Sequence, residues 1–179
     1  INRPFRSPHH TSSDVALVGG GSFPKPGEIS LAHNGILFLD ELPEFRRGVL
    51  DALRQPLEDR VVTICRAKQT LQFPSKFMLV GAMNPCPCGH FTNPKKTCHC
   101  AQQQVQRYLA RISGPLLDRI DIHLDVPSLS PTEMMTHSPV ESSNEIKKRT
   151  IRARELQTDR FKGTSTGLNA QMTHKQVKH

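Results

Sequence analysis

An α/β fold, a parallel sheet with flanking helices, is what this sequence predicts, and three stretches carry the prediction. "ILFL" (36–39) and the strand in "KFMLVGAMN" (76–84) are runs apolar at successive positions, and "DIHLDV" (121–126) is a third candidate core strand. A run apolar at every position suits a strand buried on both faces, as in a parallel sheet. Segments with helical spacing lie between the runs, which fits the strand-then-helix units such a sheet is built from.

The elements follow in order. Residues 1–33, "INRPFRSPHHTSSDVALVGGGSFPKPGEISLAH", are rich in Pro, Gly, Ser and His and predict loops, with at most short strands around Val15–Val18 and Glu28–Leu31. The strand 36–39 follows. After "LP" comes a helix with Phe45, Val49, Leu53 and Leu57 along one side, ended by Pro56. "RVVTICRAKQTLQFP" alternates like a two-stranded hairpin turning near Arg66 to Lys68. The second buried strand leads into a cysteine segment at 86–100. "AQQQVQRYLARIS" is amphipathic, with Val105, Leu109 and Ile112 inward and Arg107 and Arg111 outward. The third strand stops at Pro127, and 128–141 reads as a linker. Ser142 and Glu145 form an S-x-x-E capping box that opens a helix to about Phe161. Gly163 breaks it, and "LNAQMTHKQVKH" starts another helix.

Composition bounds the function. The 179 residues suffice for one good-sized domain, and no run approaches the ~18 apolar residues that a membrane span needs. The chain opens on Ile, with no charged-then-apolar leader, so we expect a piece of a longer polypeptide without a secretory signal. Lys and Arg outnumber Asp and Glu by 24 to 16, a net charge of +8 that favours polyanionic partners, nucleic acid first. A surface kept soluble by lysine accounts for the same number. Four of the five cysteines fall within fifteen residues, which reads as a metal site in a reducing cytoplasm before it reads as a disulfide frame.

The strand 36–39 runs straight into Asp40 and Glu41. Carboxylates at a strand's C-terminal end are costly unless a cation meets them, and in open α/β sheets that end is the ligand crevice. In a nucleoside-triphosphate site the first acid holds Mg²⁺ and the second polarises the attacking water. Their alternative is a pair of acids favouring the start of the next helix. "LVGAMNP" delivers Asn84 to the end of a neighbouring strand, from which an amide reaches a terminal phosphate or the attacking water; an Asn-Pro turn starter is the alternative. "SGPLLDRID" puts Arg119 just before the last strand, where it can point at a neighbouring subunit's phosphate or pair with Asp118 or Asp121 at the surface.

Together with "PFRSPHH", "GGGSFPKPGEISLAHNGILFLDELPEF", "LDALRQPLED", "GAMNPCPCG" and "RISGPLLDRIDIHLDVP", these residues resemble the magnesium-chelatase-like AAA+ ATPases of the ComM/YifB type over residues 3–127. The resemblance implies a partial P-loop NTPase core at 1–127, with a β-hairpin and a Cys-rich insertion, then the linker and the beginning of a helical lid at 142–179. It implies Walker B roles for Asp40 and Glu41, sensor 1 for Asn84, an arginine finger at Arg119, ATP and Mg²⁺ as cofactors, and a homo-oligomeric ring, a hexamer, in the cytoplasm. It also makes "TICRAKQTL" similar to a pre-sensor hairpin whose tip faces DNA. Arg66 and Lys68 then contact DNA through charge neutralisation, and a solvated turn is the alternative. One departure counts against activity of this piece alone: no GxxxxGK[ST] occurs, and the prolines of "GGGSFPKPG" would prevent that loop from opening a helix. The phosphate loop is expected upstream and the sensor 2 arginine downstream.

"CPCGHFTNPKKTCHC" offers Cys86, Cys88, Cys98 and Cys100 as C-x-C-x9-C-x-C. Four thiolates make a closed structural zinc site with no open position for catalysis, reduced thiols being the alternative. Cys65 in the hairpin reads as a small core residue. The function expected is an ATP-driven ring motor acting on DNA, in branch migration or helicase-type remodelling. The alternatives are the motor subunit of a porphyrin metal chelatase, and a zinc-stapled nucleic-acid-binding module without ATPase activity. Transcriptional activators of the enhancer-binding type share "GILFLDE", but their GAFTGA loop does not occur in the sequence.

Overall fold

A computed structural model describes residues 2–66, 69–91, 93, 95–127, 129, 135 and 141–178. They fall into two compact units, 1–128 and 129–179.

The first unit is built on a three-stranded parallel sheet, with β4 (Ile36–Leu39) between β1 (Phe5–Arg6) and β7 (Met78–Gly81). Strand β4 is where the apolar run predicts it, but its two faces differ. Leu37 and Leu39 are fully buried, whereas Ile36 and Phe38 are half-buried, Phe38 being stacked on Phe5 at 6.2 Å. On the closed face, Leu37 and Leu39 join one core with Leu17, Ile29, Val49, Leu50, Leu53, Ile112 and Leu116. Strand β7 departs from the expectation of a run buried on both faces. It lies at the sheet's edge among the described residues, and Met78 is 58% exposed.

Several local readings change for identifiable reasons. The short strands expected at Val15–Val18 and Glu28–Leu31 are helices, α1 (Asp14–Val18) and α2 (Glu28–Leu31). Ser13 caps α1, its hydroxyl accepting the Ala16 N–H at 3.2 Å, and one apolar residue of each helix, Leu17 or Ile29, enters the core. Arg6 of β1 donates to both carboxylate oxygens of Glu28, at 2.5 and 2.6 Å, which fixes α2 against the sheet. Between α1 and α2, β2 (Gly19–Gly20) and β3 (Lys25–Pro26) pair antiparallel. A Cβ on Gly19 would sit 2.5 Å from the Lys25 carbonyl oxygen, and one on Gly27 would sit 2.4 Å from that of Leu17. The glycines of "GGGSFPKPG" thus serve a tight hairpin.

After a 3-10 turn at Leu42–Glu44 come α3 (Arg47–Ala52) and α4 (Arg54–Asp59); Val49 of α3 and Leu53 at the junction enter the core, and Leu57 of α4 lies at its margin. Pro56 does not end the helix. It is the third residue of α4, where a backbone N–H has no intrahelical partner to lose. Strands β5 (Val61–Arg66) and β6 (Gln69–Pro74) form the expected hairpin, in register from Val61 opposite Pro74 to Arg66 opposite Gln69. Val62 and Ile64 face the core, so the alternation puts Cys65 on the solvent side, contrary to its core reading.

In α5 (Gln102–Leu109), Val105 and Tyr108 are buried and Leu109 is 41% exposed. Tyr108 thus takes the inward place expected of Leu109, and Ile112 is buried one turn on. Helix α6 (Gly114–Leu117) buries Leu116. Residues 121–126 form no strand, and Ile122, Leu124 and Val126 are exposed. An extended apolar segment becomes a strand only where a neighbour's N–H and C=O groups meet it, and among the described residues none pairs with it.

The linker expected at 128–141 falls, save for 129, 135 and 141, outside the described residues. In the second unit, α7 (Ser143–Arg160) begins at the expected capping box: the Ser142 hydroxyl accepts the Glu145 N–H at 3.3 Å, and the Ser142 N–H donates to the Glu145 carboxylate at 2.9 Å. The helix itself buries no residue. Phe161, just past its end, is buried before Gly163 turns the chain with φ +79°. A 3-10 turn at Asn169–Gln171 and a short α8 (His174–Val177), capped by Thr173 and Gln176, complete the unit.

Candidate functional site

The C-terminal edge of the sheet gathers the polar residues. Leu39 pairs with Gly81, and the ladder then skips two residues: the Ala82 N–H donates to the Leu39 carbonyl and the Leu42 N–H donates to the Ala82 carbonyl, both at 2.9 Å. Asp40 and Glu41 are the two residues skipped. The bonds close behind them and leave both carboxylates exposed to solvent. Glu41 adopts a left-handed conformation, φ 52° and ψ 46°, and its N–H donates to the Asp40 Oδ1 at 2.8 Å. Asn84 stands two residues beyond Ala82 and is exposed at the same end of the neighbouring strand. The two acids and the amide therefore leave adjacent parallel strands at one edge. Exposed carboxylate oxygens are donors that a hard divalent cation accepts.

The other neighbour of β4 adds a residue that sequence reasoning did not single out. His10, four residues past β1, places Nδ1 2.9 Å from the Glu41 Oε2. Its ring lies 4.1 Å from that of His9 and edge-on to Phe45 at 6.3 Å. The paired histidines of "SPHHT", just past a strand, were the available signal.

Arg119 stands apart from this group. It follows α6, donates to the Pro115 carbonyl and forms an ion pair with Glu58 at the end of α4. Its partner is thus neither Asp118 nor Asp121. Its Nε is buried without a hydrogen-bond partner. Arg66 is the last residue of β5, and Lys68 lies outside the described residues.

The four clustered cysteines converge. All four Sγ atoms lie within 4.8 Å of one another, with 3.4 Å between Cys86 and Cys88, 3.8 Å between Cys86 and Cys98, and 3.6 Å between Cys88 and Cys98. A tetrahedral ion bound at the zinc–sulfur length requires edges of about 3.8 Å, so the set fits a four-thiolate metal site. The main-chain N–H of His99, then that of His90, then the Cys86 thiol hold Cys88 down to about 6. The Cys100 N–H pulls Cys98 down, but burial and hydrogen bonds from Cys88 and Cys86 outweigh it and push Cys98 up to about 12. Cys86 is fully buried.

Helix α5 links this cluster to the polar edge. It starts directly after Cys100, and its far end carries Arg111, which donates to the Pro43 carbonyl at 3.0 Å and to Glu44 at 2.7 Å in the turn after the acid pair. Burial pushes the Tyr108 hydroxyl up, helped by Glu44, while the main-chain N–H of Asn84 pulls it down.

Comparison with known proteins agrees with the resemblance seen in the sequence. Residues 1–134 match the family described as magnesium chelatase, subunit ChlI. The chain is 50% identical over 177 residues to the competence protein ComM of Haemophilus influenzae, covering 98% of this chain and 34% of that protein. It is 49% identical over 176 residues to the YifB protein of Salmonella typhimurium, covering 98% and 34%. A Mycobacterium bovis protein is 41% identical over 171 residues, covering 95% and 33%. The chain thus spans about a third of the length of these relatives. Among solved structures, NtrX from Brucella abortus in complex with ADP superposes with a TM-score of 0.49 and 16% identity, covering 88% of this chain and 30% of that one.

Proposed function

The chain belongs to the magnesium chelatase, subunit ChlI, family, and from that premise we propose that it is part of an AAA+ ring motor that hydrolyses ATP and acts on DNA. The observation that carries this reading is the exposure of Asp40, Glu41 and Asn84 at one edge of adjacent parallel strands, with the hydrogen-bond ladder closed behind the acids. Magnesium-ATP, when bound, supplies the phosphoanhydride to be cleaved. Asp40 holds the magnesium, Glu41 polarises the attacking water, and Asn84 donates its amide to the terminal phosphate. The phosphate loop comes from the rest of the polypeptide, since the 179 residues contain no GxxxxGK[ST], and this piece alone is inactive. Arg119 serves a neighbouring subunit of a homo-oligomer, a hexamer, after exchanging its Glu58 pair for a phosphate. Cys86, Cys88, Cys98 and Cys100 hold a structural zinc ion.

The DNA reading draws on the +8 charge, on a hairpin ending in Arg66 and Lys68, and on the name of the competence relative. It implies branch migration or helicase-type remodelling in the cytoplasm. The family's own description favours a second reading, a motor that drives metal insertion into a porphyrin. Alanine at Arg66 and Lys68 of the full-length protein separates the two: loss of DNA binding supports the first, and unchanged binding supports the second. For the ATPase itself, Glu41→Gln in the full-length protein retains ATP binding and lowers turnover by about 100-fold or more. Unchanged turnover refutes the role given to Glu41, and absence of turnover in the unaltered full-length protein leaves a zinc-stapled binding module as the better account.

A further inference from the structure

We propose that the four-cysteine cluster and α5 together form a brace that holds Asn84 in place opposite Asp40 and Glu41. The inference rests on the reading of these three residues as the hydrolytic site. It concerns what spaces them.

The connection can be followed along the chain. Strand β7 ends at Gly81, and Asn84 follows on an exposed segment with no further strand pairing. Two residues later Cys86 is fully buried and enters the thiol cluster. The turn after Cys88 folds back, so that a Cβ on Gly89 would lie 3.8 Å from the Asn84 Oδ1. Cys100 closes the cluster and leads directly into α5. That helix returns to the edge through Arg111, which grips Pro43 and Glu44 in the turn after the acids, and Tyr108, buried one turn earlier, feels the Asn84 main-chain N–H. A continuous path thereby runs from Asn84 through the sulfur cluster and α5 to the acid turn.

Cys86, Val105 and Tyr108 are buried, yet none belongs to the main core cluster. The main core thus holds the chain up to Ala82 through Leu39 and Leu42, and the thiol cluster is the anchor on the other side of Asn84. A bound zinc ion would cross-link residues 86, 88, 98 and 100 at one point and remove the freedom of the fifteen-residue loop. The cysteines are positioning residues in this scheme. They touch neither nucleotide nor water, and with four sulfur ligands the ion has no open coordination place.

The test uses the full-length protein and combines metal content, hydrogen exchange and a mutant cycle. About one zinc per chain is expected, and it is lost in the Cys88→Ser/Cys98→Ser variant. Chelation is expected to raise amide exchange at residues 82–86 and 102–111 while leaving 36–39 protected. Tyr108→Phe, which removes only a hydroxyl, keeps the test valid if the cysteine variant fails to fold. It is expected to lower kcat about tenfold, with KM for ATP within twofold. In an Asn84→Ala background neither Tyr108→Phe nor zinc removal is expected to lower kcat further, because residues acting as a unit are not additive. If Asn84→Ala lowers turnover and the second change lowers it fully again, the brace is refuted and the site reading stands. If Asn84→Ala leaves turnover intact, the site reading falls and the brace with it. Absence of zinc, together with no uptake of cobalt(II) by the reduced protein, also refutes the brace.

Discussion

The two units of the chain are held by different means. In the first, Leu37 and Leu39 sit beneath the acid pair in a core shared with five helices and the β5–β6 hairpin. In the second, the eighteen residues of α7 bury none of their side chains, and order at the helix start comes from the box between Ser142 and Glu145. In proteins most helical stability comes from tertiary packing of an amphipathic face rather than from propensity. The polar edge is thus mounted on cooperative packing, whereas α7 depends on local bonds and presents its basic surface to solvent. Residues 142–179 hold nine Lys and Arg against three Asp and Glu, a denser positive charge than the fifteen against eleven of residues 1–128.

The largest effect that sharpens the contrast is Leu39→Ala. Removing a fully buried leucine beneath Asp40 costs about 2–5 kcal/mol, and the midpoint of urea unfolding for the first unit falls accordingly. Exchange protection across 143–160 stays as it was. Ser142→Ala reverses the pattern: the start of α7 loses about 1 kcal/mol, read as faster exchange over its first two turns, while β4 is unmoved. A shift of the β4 transition by the same variant would show that the units unfold together.

Acidification gives the smallest effect. The Ser142 main-chain N–H, then its hydroxyl, hold the Glu145 carboxyl below its usual range. The capping contribution is therefore fully present above the unfolded value of about 4.3 and is lost as pH falls through the lower folded value. Helical ellipticity followed from pH 6 to pH 3 should decline at the acid end of that window, and Glu145→Gln should flatten the decline.

Sequence patterns gave away those parts that rest on local or strand-length signals. The run 36–39, the alternation of the hairpin and the S-x-x-E box each name their element without help from distant residues. The cysteine spacing likewise anticipates a cluster that the fold assembles. Tertiary partners decided the rest. Apolar character alone could not tell the helix 28–31 from a strand, because its cap is Gly27 and no side chain marks its start. Nor could it tell that 121–126 lacks a neighbour, or that Tyr108 rather than Leu109 turns inward. The strand-end positions of the three candidate residues, Asp40, Glu41 and Asn84, were legible in the sequence. His10 was not, because its contact with Glu41 depends on β1 lying beside β4, a pairing that the loop-rich composition of residues 1–33 conceals.

The left-handed turn at Glu41 sets the two demands on that position against each other. A side-chain-bearing L-residue there forgoes about 1–2 kcal/mol that glycine would not. Glu41→Gly should therefore make the polypeptide sturdier and, under the role proposed for Glu41, silence its ATP turnover. A screen that selects for thermal robustness alone would accordingly tend to discard the carboxylate that, on the proposed reading, selection for turnover keeps.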